Sequence, residues 1–142
     1  MTDRLTLVLD RLLPGDAALG WPAAGALGLA ATARRLAAER DEAGAIEAPL
    51  AALPATFDTD GEAAQIAALE ALEAEQPGAF ARLLLYAYGA YYTDPRVRSV
   101  VETRTGYPAR PPQPEGYVLP PFDEALLETV KQRAPFWRRT EA

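Results

Sequence analysis

Apolar positions along this chain recur at three- and four-residue spacing far more often than at two, a pattern that predicts helices from end to end. Leu5, Val8, Leu9 and Leu12 form one stripe, so a first helix is expected over residues 3–13, with Thr2 as its N-cap and Pro14-Gly15-Asp16 as its stop. A loop through Gly20-Trp21-Pro22 follows, with Trp21 as a core anchor and Pro22 placed to open a second helix reaching residue 40. Gly25 and Gly28 fall inside that helix; without a preceding strand or a Gly-Lys-Ser/Thr, they point to close helix packing and not to a phosphate loop. Gly44 closes this segment, and residues 45–53 read as a short helix interrupted at Pro49 and stopped at Pro54. Residues 56–61, TFDTDG, read as a turn.

The second half of the pattern is stronger. Residues 62–75, EAAQIAALEALEAE, predict an amphipathic helix with Ile66, Leu69 and Leu72 inward and Glu62, Glu70 and Glu73 outward. Pro77 then opens a helix through Tyr92 whose only charged residue is Arg82. Phe80, Leu84, Ala87 and Tyr91 make one stripe on it, and Leu85, Tyr88 and Tyr92 the adjacent one. A helix apolar on two sides is either the centre of the core or has one face covered by another protein. Asp94 and Pro95 are a cap and first residue for the next helix, with Val97, Val100 and Val101 inward and Gly106 at its end.

Residues 107–121 hold six prolines in fifteen positions, which predicts an extended polyproline II arm. Tyr107, Tyr117, Val118 and Leu119 make it too apolar for a plain linker, so it is expected to lie along a surface, its own body's or a partner's. The last helix is expected over residues 123–133, capped by Asp123 and stapled by Phe122 and Leu127. The tail, residues 134–142, places Phe136 and Trp137 beside Arg138 and Arg139, a mixture suited to an interface or to docking on the core. The expected fold is therefore all-α: a single domain over residues 1–142, an irregular bundle of five to seven helices with a proline-rich arm before the last.

Composition narrows the chemistry. With no cysteine and no histidine, disulfides, thiolate catalysis, imidazole bases and covalent haem attachment are all excluded. Asp58 and Asp60 hint at a calcium loop, but the other ligands at the required spacing are missing. The glutamates of residues 62–75 lack the histidines of a di-metal bundle site and read as a solvated face. A net charge of −6 argues against nucleic acid, although residues 95–142 carry 8 basic and 6 acidic side chains against 6 and 14 before them. No stretch reads as a membrane span and the start does not read as a secretory signal, so a cytoplasmic location is expected, the alternative being a periplasmic one reached by co-export with a partner.

Residues 10–16 (DRLLPGD), 79–97 (AFARLLLYAYGAYYTDPRV), and 106–130 (GYPARPPQPEGYVLPPFDEALLETV) with the closing Trp137-Arg138 resemble the gluconate 2-dehydrogenase subunit 3 family. Residues 89–95, GAYYTDP, and the proline arm are the most specific parts. The resemblance implies a non-catalytic small (gamma) subunit that binds and stabilises, or assists maturation of, an FAD-dependent sugar or alcohol dehydrogenase of the glucose-methanol-choline (GMC) type. It implies no cofactor in this chain, FAD in the large partner, and haem in a cytochrome c subunit where one is present. The aromatic and proline positions then become the expected partner contacts: Tyr86, Tyr88, Tyr91, Tyr92, Tyr107, Pro111, Pro112, Tyr117, Phe136, Trp137 and Arg138.

Two other readings stay open. One is a stand-alone enzyme, such as a sugar isomerase, using Tyr91 or Tyr92 with Asp94 as acid and base, the phenol's pKa lowered by Arg96 or Arg98. The other is a homo-oligomer in which the same surface pairs with itself.

Overall fold

The structure is a computed structural model that describes residues 3–108 and 120–133. Among them the chain is all-α: eight α-helices, one 3-10 turn and no strand. Its contacts fall into two compact units, Met1–Arg110 and Pro111–Ala142. The first unit holds seven helices: α1 (Arg4–Leu12), α2 (Ala24–Leu27), α3 (Ala30–Ala38), α4 (Gly44–Ala52), α5 (Glu62–Glu75), α6 (Pro77–Thr93) and α7 (Pro95–Thr105).

The centre of this body is α6, which packs against α3, α4, α5 and α7. It buries Phe80, Leu83, Tyr86, Ala87, Ala90 and Tyr91, with Leu84 partly buried beside them. Opposite, α1 contributes Leu5, Val8 and Leu9, all fully buried, and each such side chain stabilises the fold by roughly 1.5–3 kcal/mol.

Several elements differ from expectation, each for a local reason. The cap of α1 is Asp3, whose carboxylate accepts from the Leu5 amide at 3.1 Å and also binds Arg34. The helix expected over residues 22–40 is broken into α2 and α3, because Gly28 turns left-handed with φ 68°. Gly28 thus ends a helix, while Gly25 fits the close-packing reading: a Cβ there would sit 2.7 Å from the Asp10 carboxylate. Gly44 begins α4 where it was expected to close the segment before it, and α4 runs through Pro49 without interruption. Pro49 is fully buried, and that burial offsets the hydrogen bond its missing N–H removes.

In α5, Leu69 and Leu72 face inward as expected, but Ile66 is exposed and Gln65 is buried in its place. Gln65 earns this position by full pairing: its Nε2 donates to the Phe57 carbonyl at 2.8 Å, and its Oε1 accepts from Arg11 Nε at 2.7 Å. Replacing Gln65 by Leu strands both partners, so a loss of about 1–3 kcal/mol is expected in urea unfolding. The TFDTDG segment is a turn, and Asp58 there forms an ion pair with Arg4 at 2.7 and 3.2 Å.

In the second unit Asp123 caps as expected, its carboxylate accepting from the Ala125 amide at 3.0 Å. The helix starts as a 3-10 turn, Glu124–Leu127, before α8, Glu128–Lys131. Among the described residues, splitting residues 22–40 accounts for the eighth α-helix of the expected all-α bundle. Phe122, Leu126 and Val130 are all more than half exposed.

Candidate functional site

The tyrosine cluster lies where α6 meets α7, and helical geometry divides it into two pairs. Tyr86 and Tyr91, expected as partner contacts, are core residues of this chain at 2% and 3% exposure. Their hydroxyls are satisfied internally: Tyr86 donates to the Glu42 carboxylate, which also pairs with Arg82, and Tyr91 donates to the Pro22 carbonyl at 2.8 Å. Tyr88 and Tyr92 instead stand 45% and 52% exposed, and with Leu85 at 49% they form one outward face of α6. Both stripes read from sequence are there, and among the described residues it is the adjacent stripe with Phe80, Ala87 and Tyr91 that is covered.

Ring contacts stiffen this face. Tyr92 meets Tyr91 edge-on at 5.2 Å, and Tyr88 leans on Tyr92 at 6.2 Å; such pairs contribute about 0.5–1.5 kcal/mol each beyond area burial. The corner is set by Asp94, whose Oδ1 accepts from the Arg96 amide at 2.9 Å at the start of α7. Arg96 returns over the same carboxylate at 2.9 and 2.8 Å and reaches the Leu27 carbonyl at 3.0 Å, tying the corner to α2.

Beside the corner opens a cleft of about 280 Å³, walled by the end of α1, Pro14, Gly15, Asp16, Trp21, Tyr91 and Tyr92. Asp16 and Trp21 hold its loop shut by reciprocal backbone hydrogen bonds of 2.9 and 2.8 Å. Trp21 packs partly on the core, as expected, and also borders the cleft, a role not anticipated from sequence. The signal for that role was the DRLLPGD segment, which lies against Tyr91 and Tyr92 of GAYYTDP in the folded chain.

Of the remaining expected contacts, Tyr107 is 56% exposed, while Pro111, Pro112, Tyr117, Phe136, Trp137 and Arg138 lie outside the described residues. Among the described residues no three Asp or Glu side chains gather into a metal-binding group.

Tyr91 and Asp94 at the corner both depart from their ordinary values. Burial pushes the Tyr91 phenol above its ordinary value, the opposite of what a base at neutral pH requires. Arg96 is committed to Asp94 and holds that carboxyl below the usual range. The hydrogen bond from Arg34 does the same to Asp3, as those from Tyr86 and then Arg82 do to Glu42. Each of these carboxyls binds protons more weakly folded than unfolded. Their stabilisation is therefore present above the unfolded value near about 4 and is lost as pH falls through the lower folded values. Thermal midpoints measured against pH should be level from about 5 to 8 and fall below about 4, with a shallower fall in Asp3→Asn.

Tyr91→Phe keeps the ring and removes the donor to Pro22, so a loss of about 1 kcal/mol is expected by urea unfolding.

No protein-family model, no curated protein and no solved structure matches the chain. The family resemblance rests on the quoted segments alone.

Proposed function

We propose that this chain is a non-catalytic accessory subunit that binds and stabilises, or assists maturation of, an FAD-dependent GMC-type sugar or alcohol dehydrogenase. The observation that carries the reading is the outward face Leu85, Tyr88 and Tyr92, next to a cleft in which two of the segments behind the resemblance meet. Half-exposed tyrosines in ring contact are pre-ordered, so burying them against a partner costs little rotamer entropy, and their hydroxyls suit the wet edge of an interface. In this reading FAD belongs to the large subunit, and haem to a cytochrome c subunit where the complex has one.

The acid–base alternative draws no support from the corner, since the Tyr91 hydroxyl is bound to Pro22 and its pKa is raised. Co-expression with a GMC-type flavoprotein from the same genome tests the proposal. Soluble, flavin-loaded partner should increase when this chain is present. An equal yield with and without it, and no co-purification, would overturn the reading.

A further inference from the structure

We propose that Asp60-Gly61, at the end of the turn before α5, is a site of spontaneous backbone modification, where the folded chain converts Asp60 to isoaspartate through a cyclic imide. Asp60 is the only aspartate in the chain followed by glycine, and the chain has no asparagine. Gly61 puts no side chain beside its own nitrogen, and a Cβ built there would meet nothing within 4 Å. Its amide makes no hydrogen bond among the described residues, although those of Thr59 and Asp60 just before it both donate to the Thr56 carbonyl at 2.9 Å. Asp60 is partly exposed; Thr56 Oγ1 donates to its Oδ2 at 2.9 Å, and its carboxyl is in no ion pair among the described residues.

A free amide directly after a carboxyl with no cation on it is what imide closure consumes. The Gly61 nitrogen attacks Asp60 Cγ; the N–Cγ bond forms, and the carboxyl oxygen leaves as water together with the amide proton. Water then adds to one of the two imide carbonyls. Opening at Cγ restores aspartate, whereas opening at the α-carbonyl routes the backbone through the side chain and frees an α-carboxylate, so water is the only co-reactant. Other aspartates lack one requirement or another. Asp58 is paired with Arg4 and followed by the branched Thr59, and Asp94 precedes a proline, which has no N–H to give up. The Glu42 amide after Asp41 is already donated to the Ala37 carbonyl at 2.8 Å. Isoaspartate at residue 60 adds one methylene to the backbone between the Phe57 carbonyl, which Gln65 holds, and the start of α5 at Glu62. Nothing here depends on the flavoprotein reading, and either can fail without the other.

The test incubates the full chain beside the free peptide PATFDTDGEAA, residues 54–64, at neutral pH. Isoaspartate is counted by methyl transfer with an isoaspartyl methyltransferase and located by mapping proteolytic fragments, in which isoaspartate changes retention but not mass. A reaction that had to wait for the turn to open would be slowed by the ratio of closed to open chain. The folded chain should instead react within roughly tenfold of the peptide's rate, with the product at residue 60. Gly61→Ala places a methyl in open space at φ −69°, so it should fold, as its urea midpoint checks, and should react roughly tenfold more slowly. Isoaspartate in the peptide but not in the folded chain overturns the proposal. So does a product mapped to another aspartate, or an equal rate in Gly61→Ala; the mapping of the wild-type chain stands whether or not the variant folds.

Discussion

Gly15→Ala is expected to destabilise the first unit by about 3–5 kcal/mol, close to the whole stability of many domains this size. Two costs combine. Gly15 sits at φ 78°, where any side chain is strained by about 1–2 kcal/mol. A Cβ there would also lie 2.6 Å from the Ala23 amide nitrogen, 2.7 Å from the Trp21 carbonyl oxygen and 2.8 Å from the Pro22 carbonyl carbon. These are backbone atoms of the loop that carries the Asp16–Trp21 bridge and accepts the Tyr91 hydroxyl, so relief of the clash must move the cleft itself. Gly28→Ala is the control, because Gly28 has φ 68° but nothing within 4 Å of the new Cβ. It should cost only the conformational strain, about 1–2 kcal/mol. Urea unfolding of the two variants separates the terms, and equal losses would show that the close approach at Gly15 is relieved without consequence.

Phe57→Ala should cost a similar 3–5 kcal/mol by the same measurement. Phe57 is fully buried, although it stands in the polar turn TFDTDG between Thr56 and Asp58. Its carbonyl accepts from Gln65, and Asp58 beside it is clamped by Arg4, so the turn is bound to α5 and α1 on both sides of the ring. Removing the ring leaves a cavity that those bonds prevent from collapsing, which places the cost at the upper end. A loss below about 1 kcal/mol would show that the turn repacks freely.

Phe57 also shows where sequence reading stops. Turn chemistry marks residues 56–61 as a turn, and the structure agrees, but no periodicity in six residues tells which of them turns inward. Gln65 and Ile66 are a second instance. Helical spacing orders Ile66, Leu69 and Leu72 on one stripe, yet the side of α5 that is covered is decided by the Phe57 carbonyl and the Arg11 guanidinium, contributed from outside the helix. Pro49 reads locally as a breaker, and only tertiary burial explains why α4 continues past it. Where the signal was local and complete, it was legible. Residues 62–75 form α5 as expected, Pro77 opens α6, and Asp94, Pro95 and Gly106 bound α7 in the expected roles.

At the tyrosine corner the same limit separates fold from function. The sequence places four tyrosines within one stretch of seven residues, but not which of them the chain's own core consumes. Tyr86 and Tyr91 are drawn inward where Glu42 and Pro22 present acceptors to them from the α3–α4 loop and the cleft loop. What remains outward, Leu85, Tyr88 and Tyr92, is a smaller and more specific surface than the aromatic cluster as a whole.

We propose that this outward face binds a flavoprotein dehydrogenase. It is tested most directly by sedimentation of the purified chain with a purified, FAD-loaded GMC-type dehydrogenase from the same genome, followed at the flavin absorbance. A faster flavin boundary with the wild-type chain, lost with Tyr88→Glu and Tyr92→Glu although that variant keeps its thermal midpoint, is the expected result. A flavin boundary that stays where the dehydrogenase sediments alone, or that shifts equally with the variant, would contradict it.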